Sequence, residues 1–175
     1  DNIRVIRDEQ PFCYSAINNR AADQAHGDVL VFLNNDIEVI NPEWLDELVS
    51  HACRPGVGAV GARLIYPNGT IQHAGIVLGI GGWAGHAHKS FSSLAHGYAG
   101  RLTLLNNYSA VTGACLAIQK QYFMEVGGFD FPEQDVLDLA GAKECLGGHS
   151  RGVFGGTACE KYHKSLGAAT PPCSR

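Results

Sequence analysis

Gly27-Asp28-Val29-Leu30-Val31-Phe32-Leu33-Asn34-Asn35-Asp36 is the stretch that decides the fold. Its unbroken apolar run, 29–33, is short enough for a strand and apolar enough to be buried on both faces of a parallel sheet. Upstream, residues 15–26 carry Ala, Asn, Arg and Gln at helical spacing and stop at Gly27, which predicts a helix with a glycine after its end. Residues 3–6 read as a further short strand. Strand, helix, strand is a β-α-β unit, so the opening of the chain predicts the α/β class.

Downstream, Asn41, Pro42 and Glu43 carry the residue types of a helix start, and 42–53 reads as a helix ending before Pro55. Its apolar stripe is Trp44, Leu45, Leu48 and Val49 with Ala52, so Trp44 and Leu48 are expected in the core. Residues 57–65 and 71–78 read as strands joined by a tight turn at Asn68-Gly69. The Gly-, Ser- and His-rich segment 79–100 is expected to be a long loop, the kind that serves as a lid or binding element. Residues 111–118 read as a strand, and 120–126 as a short helix stopped by Gly127-Gly128. Beyond Phe131 the pattern weakens, with one candidate helix at 133–146.

The chain has 175 residues, 45% hydrophobic and 17% charged, one domain's worth. A net charge of −4 argues against a nucleic-acid surface built on bulk positive charge. No stretch approaches the roughly 20 apolar residues of a membrane span. Six cysteines at 13, 53, 115, 145, 159 and 173 include no Cys-x-x-Cys pair, so reduced thiols are expected. The first residue is Asp1, and 3–6 already reads like mid-fold, so an upstream portion is expected. A sheet without its first β-α units would expose an edge, and poor solubility or oligomerisation is expected of this chain alone.

Asn34-Asn35-Asp36 follows a buried strand, at the end where ligands bind in open α/β sheets. A carboxylate there suits a hard cation bridging a diphosphate; a plain turn-forming cluster is the alternative. The resemblance becomes specific over Pro11-Phe12-Cys13-Tyr14-Ser15-Ala16-Ile17-Asn18-Asn19-Arg20-Ala21-Ala22, Gly27-Asp28-Val29-Leu30 and Leu33-Asn34-Asn35-Asp36. It continues through Gly69-Thr70-Ile71-Gln72-His73-Ala74-Gly75, Val111-Thr112-Gly113-Ala114-Cys115-Leu116 and Val126-Gly127-Gly128-Phe129-Asp130. Together these resemble the family 2 glycosyltransferases of GT-A fold, in the bacterial branch acting in O-antigen and cell-surface polysaccharide synthesis.

The resemblance implies a GT-A mixed sheet flanked by helices and lacking its first β-α units, with 1–130 a partial core and 131–175 a divergent part of the same domain. It implies an inverting, metal-dependent transfer from a nucleotide-diphosphate sugar to a glycan or lipid-linked glycan. Asn34, Asn35 and Asp36 stand at the family's Asp-x-Asp motif, with Asp36 as ligand to Mn²⁺ or Mg²⁺. Asn19 matches an asparagine near the nucleotide, and Thr112, Gly113 and Ala114 fall in the sugar and acceptor segment. Asp135, in Gln134-Asp135-Val136-Leu137-Asp138, is the nearest match to the catalytic base, and His163 to a metal-completing histidine. Placement in the cytoplasm, with peripheral association at the inner membrane face, would suit a lipid-linked acceptor.

The alternative is an inactive fragment or non-catalytic glycan- or nucleotide-binding remnant, favoured by the departures after Phe131. There Leu137 separates Val136 from Asp138, and Lys164 follows His163. His86-x-His88 with His96 reads as a metal cluster or as a solvated loop; the resemblance, through Gly82, Gly85, His86 and His88, implies a flexible loop over the acceptor site. His73, in a strand, is expected to be a hydrogen-bonded core or site-wall residue.

Overall fold

The computed structural model describes residues 3–79 and 84–130. The elements run in order α1 (Tyr14–Gln24), β1 (Val29–Leu33), α2 (Trp44–Ala52), β2 (Ala59–Gly61), β3 (Leu64–Ile65), β4 (Ile71–His73), β5 (Ile76–Leu78), β6 (Ala84–His86), β7 (Cys115–Gln119) and α3 (Lys120–Glu125). The anticipated helix at 133–146, together with Asp135 and His163, lies outside the described residues.

The central sheet has the order β1-β7-β2, and β7 is antiparallel to both neighbours. Val31 and Val60 both stand opposite Ala117, so β1 and β2 run parallel to each other with β7 between them. The expectation of a parallel ladder is corrected here: among the described residues every strand pairing is antiparallel. Apolar periodicity reports burial, and strand direction depends on β7, which arrives some eighty residues later.

Packing on both faces of β1 holds for 29–32, while Leu33 at its end is exposed. Leu30 and Phe32 join Leu116, Ile118, Ala22 of α1, Phe123 of α3 and Phe129 in one core. Val29 and Val31 point the other way, towards Leu48 and Ala52 of α2, Cys115 and Ala117. Phe32, Phe123 and Phe129 meet with ring centroids 4.9–5.2 Å apart, two of the three contacts edge-on. The sheet therefore sits between α1 and α3 on one side and α2 on the other, an α/β arrangement.

Leu48 is buried and Trp44 packs partly on the second core, as its spacing predicts, but Leu45 is exposed. The α2 helix starts at Trp44, with Pro42 and Glu43 in the turn before it and the Trp44 N–H donating to the Asn41 carbonyl. α3 ends in a Schellman motif: Gly127 N–H donates to the Met124 carbonyl and Gly128 N–H to that of Phe123.

Three strand readings change. Residues 3–6 form no strand, and Ile3 and Val5 are exposed. The runs 57–65 and 71–78 are each broken in two, the second at Gly75. That residue has φ +108°, and the Tyr108 ring lies where its Cβ would stand. The Asn68-Gly69 turn closes the β3-β4 hairpin as anticipated: the Tyr66 N–H donates to the Thr70 carbonyl and the Gly69 N–H to that of Tyr66. The loop expected at 79–100 contains β6, which pairs with β5 from Ile76↔His86 to Leu78↔Ala84.

Candidate functional site

The carboxyl end of β1 runs directly into the Asn34-Asn35-Asp36 turn, which the Ile37 N–H closes by donating to the Asn34 carbonyl. Asn34 is half-buried, while Asn35 and Asp36 are exposed. The Asn34 N–H donates to the Ala114 carbonyl at 2.9 Å, one step beyond the β1-β7 ladder. Two segments some eighty residues apart thereby meet at one end of the sheet: 34–36 and 112–114.

The second segment is held from three sides. Tyr14, the first residue of α1, donates its hydroxyl to the Gly113 carbonyl at 2.8 Å. Burial pushes the Tyr14 phenol up to about 12. A Cβ at Gly113 would stand 2.7 Å from the Tyr14 hydroxyl oxygen, so a larger residue there must displace the ring or the segment. Thr112 is buried, and its Oγ1 accepts the Ala114 N–H at 3.3 Å.

Behind Thr112 lies the fully buried His73. Its Nε2 accepts the N–H groups of Gly75 at 3.2 Å and Thr112 at 3.4 Å. An imidazole nitrogen that accepts carries no proton, so His73 bears its hydrogen on Nδ1 and donates it to His86 Nδ1, 2.9 Å away. Burial, joined by the charge His86 would carry, pushes His73 down to about 3. Burial likewise lowers His86, with Lys89 adding to the effect. His73 is thus a buried, hydrogen-bonded histidine, as its strand position predicts. His88 Nε2 accepts the Tyr98 N–H, so His86 and His88 face different partners. Among the described residues no three His, Cys, Asp or Glu side chains gather to hold a metal.

Asn19 grips the turn after α3: its Nδ2 donates to the Phe129 carbonyl at 2.8 Å and its Oδ1 accepts the Phe129 N–H at 2.9 Å. Sequence reading gave no role to Tyr14 or to the His73–His86 pair. The small residue at 113 and the histidine at 73 were visible, but their partners lie 99 and 13 positions away.

For a divalent metal, the described residues offer the exposed Asp36 carboxylate at a strand end. One carboxylate fits a hard cation whose remaining ligands are water and phosphate oxygens.

The glycosyl transferase family 2 model matches residues 1–127. The chain is 53% identical over 134 residues to uncharacterized protein y4gI of Sinorhizobium fredii, which covers 77% of this chain and 15% of that protein. It is 51% identical over 126 residues to the O-antigen biosynthesis protein RfbC of Myxococcus xanthus, covering 70% and 10%. A protein of Caenorhabditis elegans named probable N-acetylgalactosaminyltransferase 9 is 30% identical over 139 residues, covering 77% and 24%. The chain thus spans a tenth to a quarter of the length of these curated relatives. No solved structure matches it significantly. A family model running through α1, both segments of the site and α3 leaves one assignment: the chain belongs to glycosyl transferase family 2.

Proposed function

We propose that this domain transfers a sugar, with inversion, from a nucleotide-diphosphate donor to a glycan or lipid-linked glycan acceptor in polysaccharide synthesis of the O-antigen kind. The observation that carries the reading is the Asn34–Ala114 hydrogen bond, which joins the Asn34-Asn35-Asp36 turn to Thr112-Gly113-Ala114 in a family 2 chain. In this reading Asn34, Asn35 and Asp36 face the donor's diphosphate. Asn19 braces the neighbouring turn on the nucleotide side, and 112–114 lines the sugar and acceptor site. Asp36 would hold Mn²⁺ or Mg²⁺, with His163 as a further ligand; the metal, when bound, neutralises charge on the diphosphate. Asp135 takes the proton of the acceptor hydroxyl. The hydroxyl oxygen then bonds to the anomeric carbon as the bond to the diphosphate breaks on the opposite face. A cytoplasmic domain working at the inner membrane face suits a lipid-linked acceptor.

The test is Mn²⁺-dependent binding of a nucleoside diphosphate, measured by calorimetry on the parent chain and on Asp36→Ala. A carboxylate ligand in direct contact with the metal predicts at least a tenfold loss in the variant, equal to about 1.4 kcal/mol. Binding that needs no metal and ignores the substitution removes Asp36 from its role and favours a non-catalytic remnant.

A further inference from the structure

Charge is segregated along this chain. Residues 48–124 contain no Asp or Glu but hold Arg54, Arg63, Lys89, Arg101 and Lys120, although the whole chain carries −4. Within that acid-free region, the segment after β6 is an ordered loop. Ser90 N–H donates to the Ile71 carbonyl, Ile71 N–H to that of Phe91, and Ser93 N–H to that of Gly69. Leu102 is its buried anchor; its N–H donates to the His96 carbonyl and its own carbonyl accepts from Arg63 at 2.8 Å.

Although so fixed, the loop turns large apolar side chains outward. Leu94 is 88% exposed, Tyr98 80%, Leu105 75% and Leu104 66%, and Phe91 is half-exposed. Hydrogen bonds from Leu102 to His96, from Arg101 to Tyr98 and from Leu104 to Gly100 fold 96–104 back on itself, so Tyr98 and Leu104 share one compact stretch with Leu105 next in sequence. Scattered exposed leucines are ordinary, whereas several on one short rigid loop mark an interaction surface. Lys89 and the Arg101 guanidinium, which lies over the Tyr108 ring, supply positive charge from within this acid-free stretch of sequence. Aliphatic side chains, a tyrosine and lysine or arginine together match the boundary of an anionic bilayer, where apolar groups enter the acyl edge and cations meet lipid phosphates.

We propose that the loop spanning 89–105 docks the domain on an anionic lipid bilayer, with Leu94, Tyr98, Leu104 and Leu105 entering the interface and Lys89 and Arg101 at the phosphates. The inference rests on the lipid-linked acceptor reading for its purpose. Vesicle binding is measured without donor or acceptor, so either idea can fail alone.

The experiment is co-sedimentation of the full 175-residue chain with phosphatidylcholine vesicles made with and without phosphatidylglycerol. Binding is expected on the anionic vesicles and should weaken as salt rises. Leu104→Glu with Leu105→Glu should lose at least tenfold in partitioning, and Lys89→Glu about fivefold or more. Val5→Glu, at an exposed apolar residue elsewhere, should bind like the parent. Tyr98→Glu, a single exposed change, repeats the test should the double variant unfold. Equal binding by the parent and the folded loop variants overturns the proposal, as does absence of binding to anionic vesicles. Self-association that these same variants abolish, without vesicle binding, also overturns it and assigns the loop to a second copy of the chain.

Discussion

His73 joins three pieces of backbone and side chain that no other residue connects in this way: Gly75, Thr112 and His86. All three bonds require the neutral imidazole with its proton on Nδ1, so pH acts on this residue with a definite sign. The unfolded chain takes up a proton near the ordinary value of 6.5, whereas folding holds His73 down to about 3. The stability it contributes is therefore complete above pH 6.5 and falls as pH drops towards 3, by up to about 1.4 kcal/mol per pH unit. His73→Gln cannot titrate, so the parent's advantage over it in urea melts should shrink by about 2 kcal/mol between pH 7 and pH 5. Parallel pH profiles for the two proteins would show that His73 is not held neutral. His73→Ala would leave the Gly75 and Thr112 N–H groups buried without an acceptor, at a cost of about 2–4 kcal/mol at neutral pH.

The contact between α1 and the 112–114 segment makes a prediction at the scale of elements. Gly113→Ala drives a methyl against the Tyr14 hydroxyl and should cost about 1–3 kcal/mol by displacing helix or segment. Tyr14→Phe loses the 2.8 Å bond to the Gly113 carbonyl, about 1 kcal/mol, but also removes the atom that the methyl meets. Chemical denaturation of the two single variants and the double should thus show the double less destabilised than their sum; strict additivity would mean that the two residues do not meet. Such couplings mark the limit of reading the sequence. β1 was legible because four of its five apolar residues serve two cores, and α3 because Gly127-Gly128 closes it locally. The Asn34-Asn35-Asp36 turn was placed by following β1. What could not be read was nonlocal. The antiparallel entry of β7 is set by distant chain, and β6 is Ala-Gly-His, a sequence with little strand preference that owes its form to pairing with Ile76–Leu78. Leu45 sits on the apolar stripe by spacing yet faces water, because the second core is filled by Trp44, Leu48 and Ala52.

At the scale of the molecule, β2 and β1 are the two edges of the central sheet, and the longer of them, β1, has no strand partner on its outer side among the described residues. Unpaired N–H and C=O groups on a five-residue, largely apolar strand are a template for pairing with another chain. The apolar surface adds to this, with Ile3, Val5 and Phe12 exposed in the segment leading into α1. A net charge of −4 is modest repulsion against such contacts. The chain made alone is therefore expected to associate as its concentration rises, seen as a growing average mass in sedimentation. Ile3→Lys with Val5→Lys places two cations on that segment and removes two apolar contacts, so association should require several-fold higher concentration. Both side chains already face water, so thermal unfolding should shift little, within about 0.5 kcal/mol. A parent that stays monomeric at all concentrations would show that the β1 edge is not adhesive. A variant that associates like the parent would leave the edge strand as the contact and acquit the two side chains.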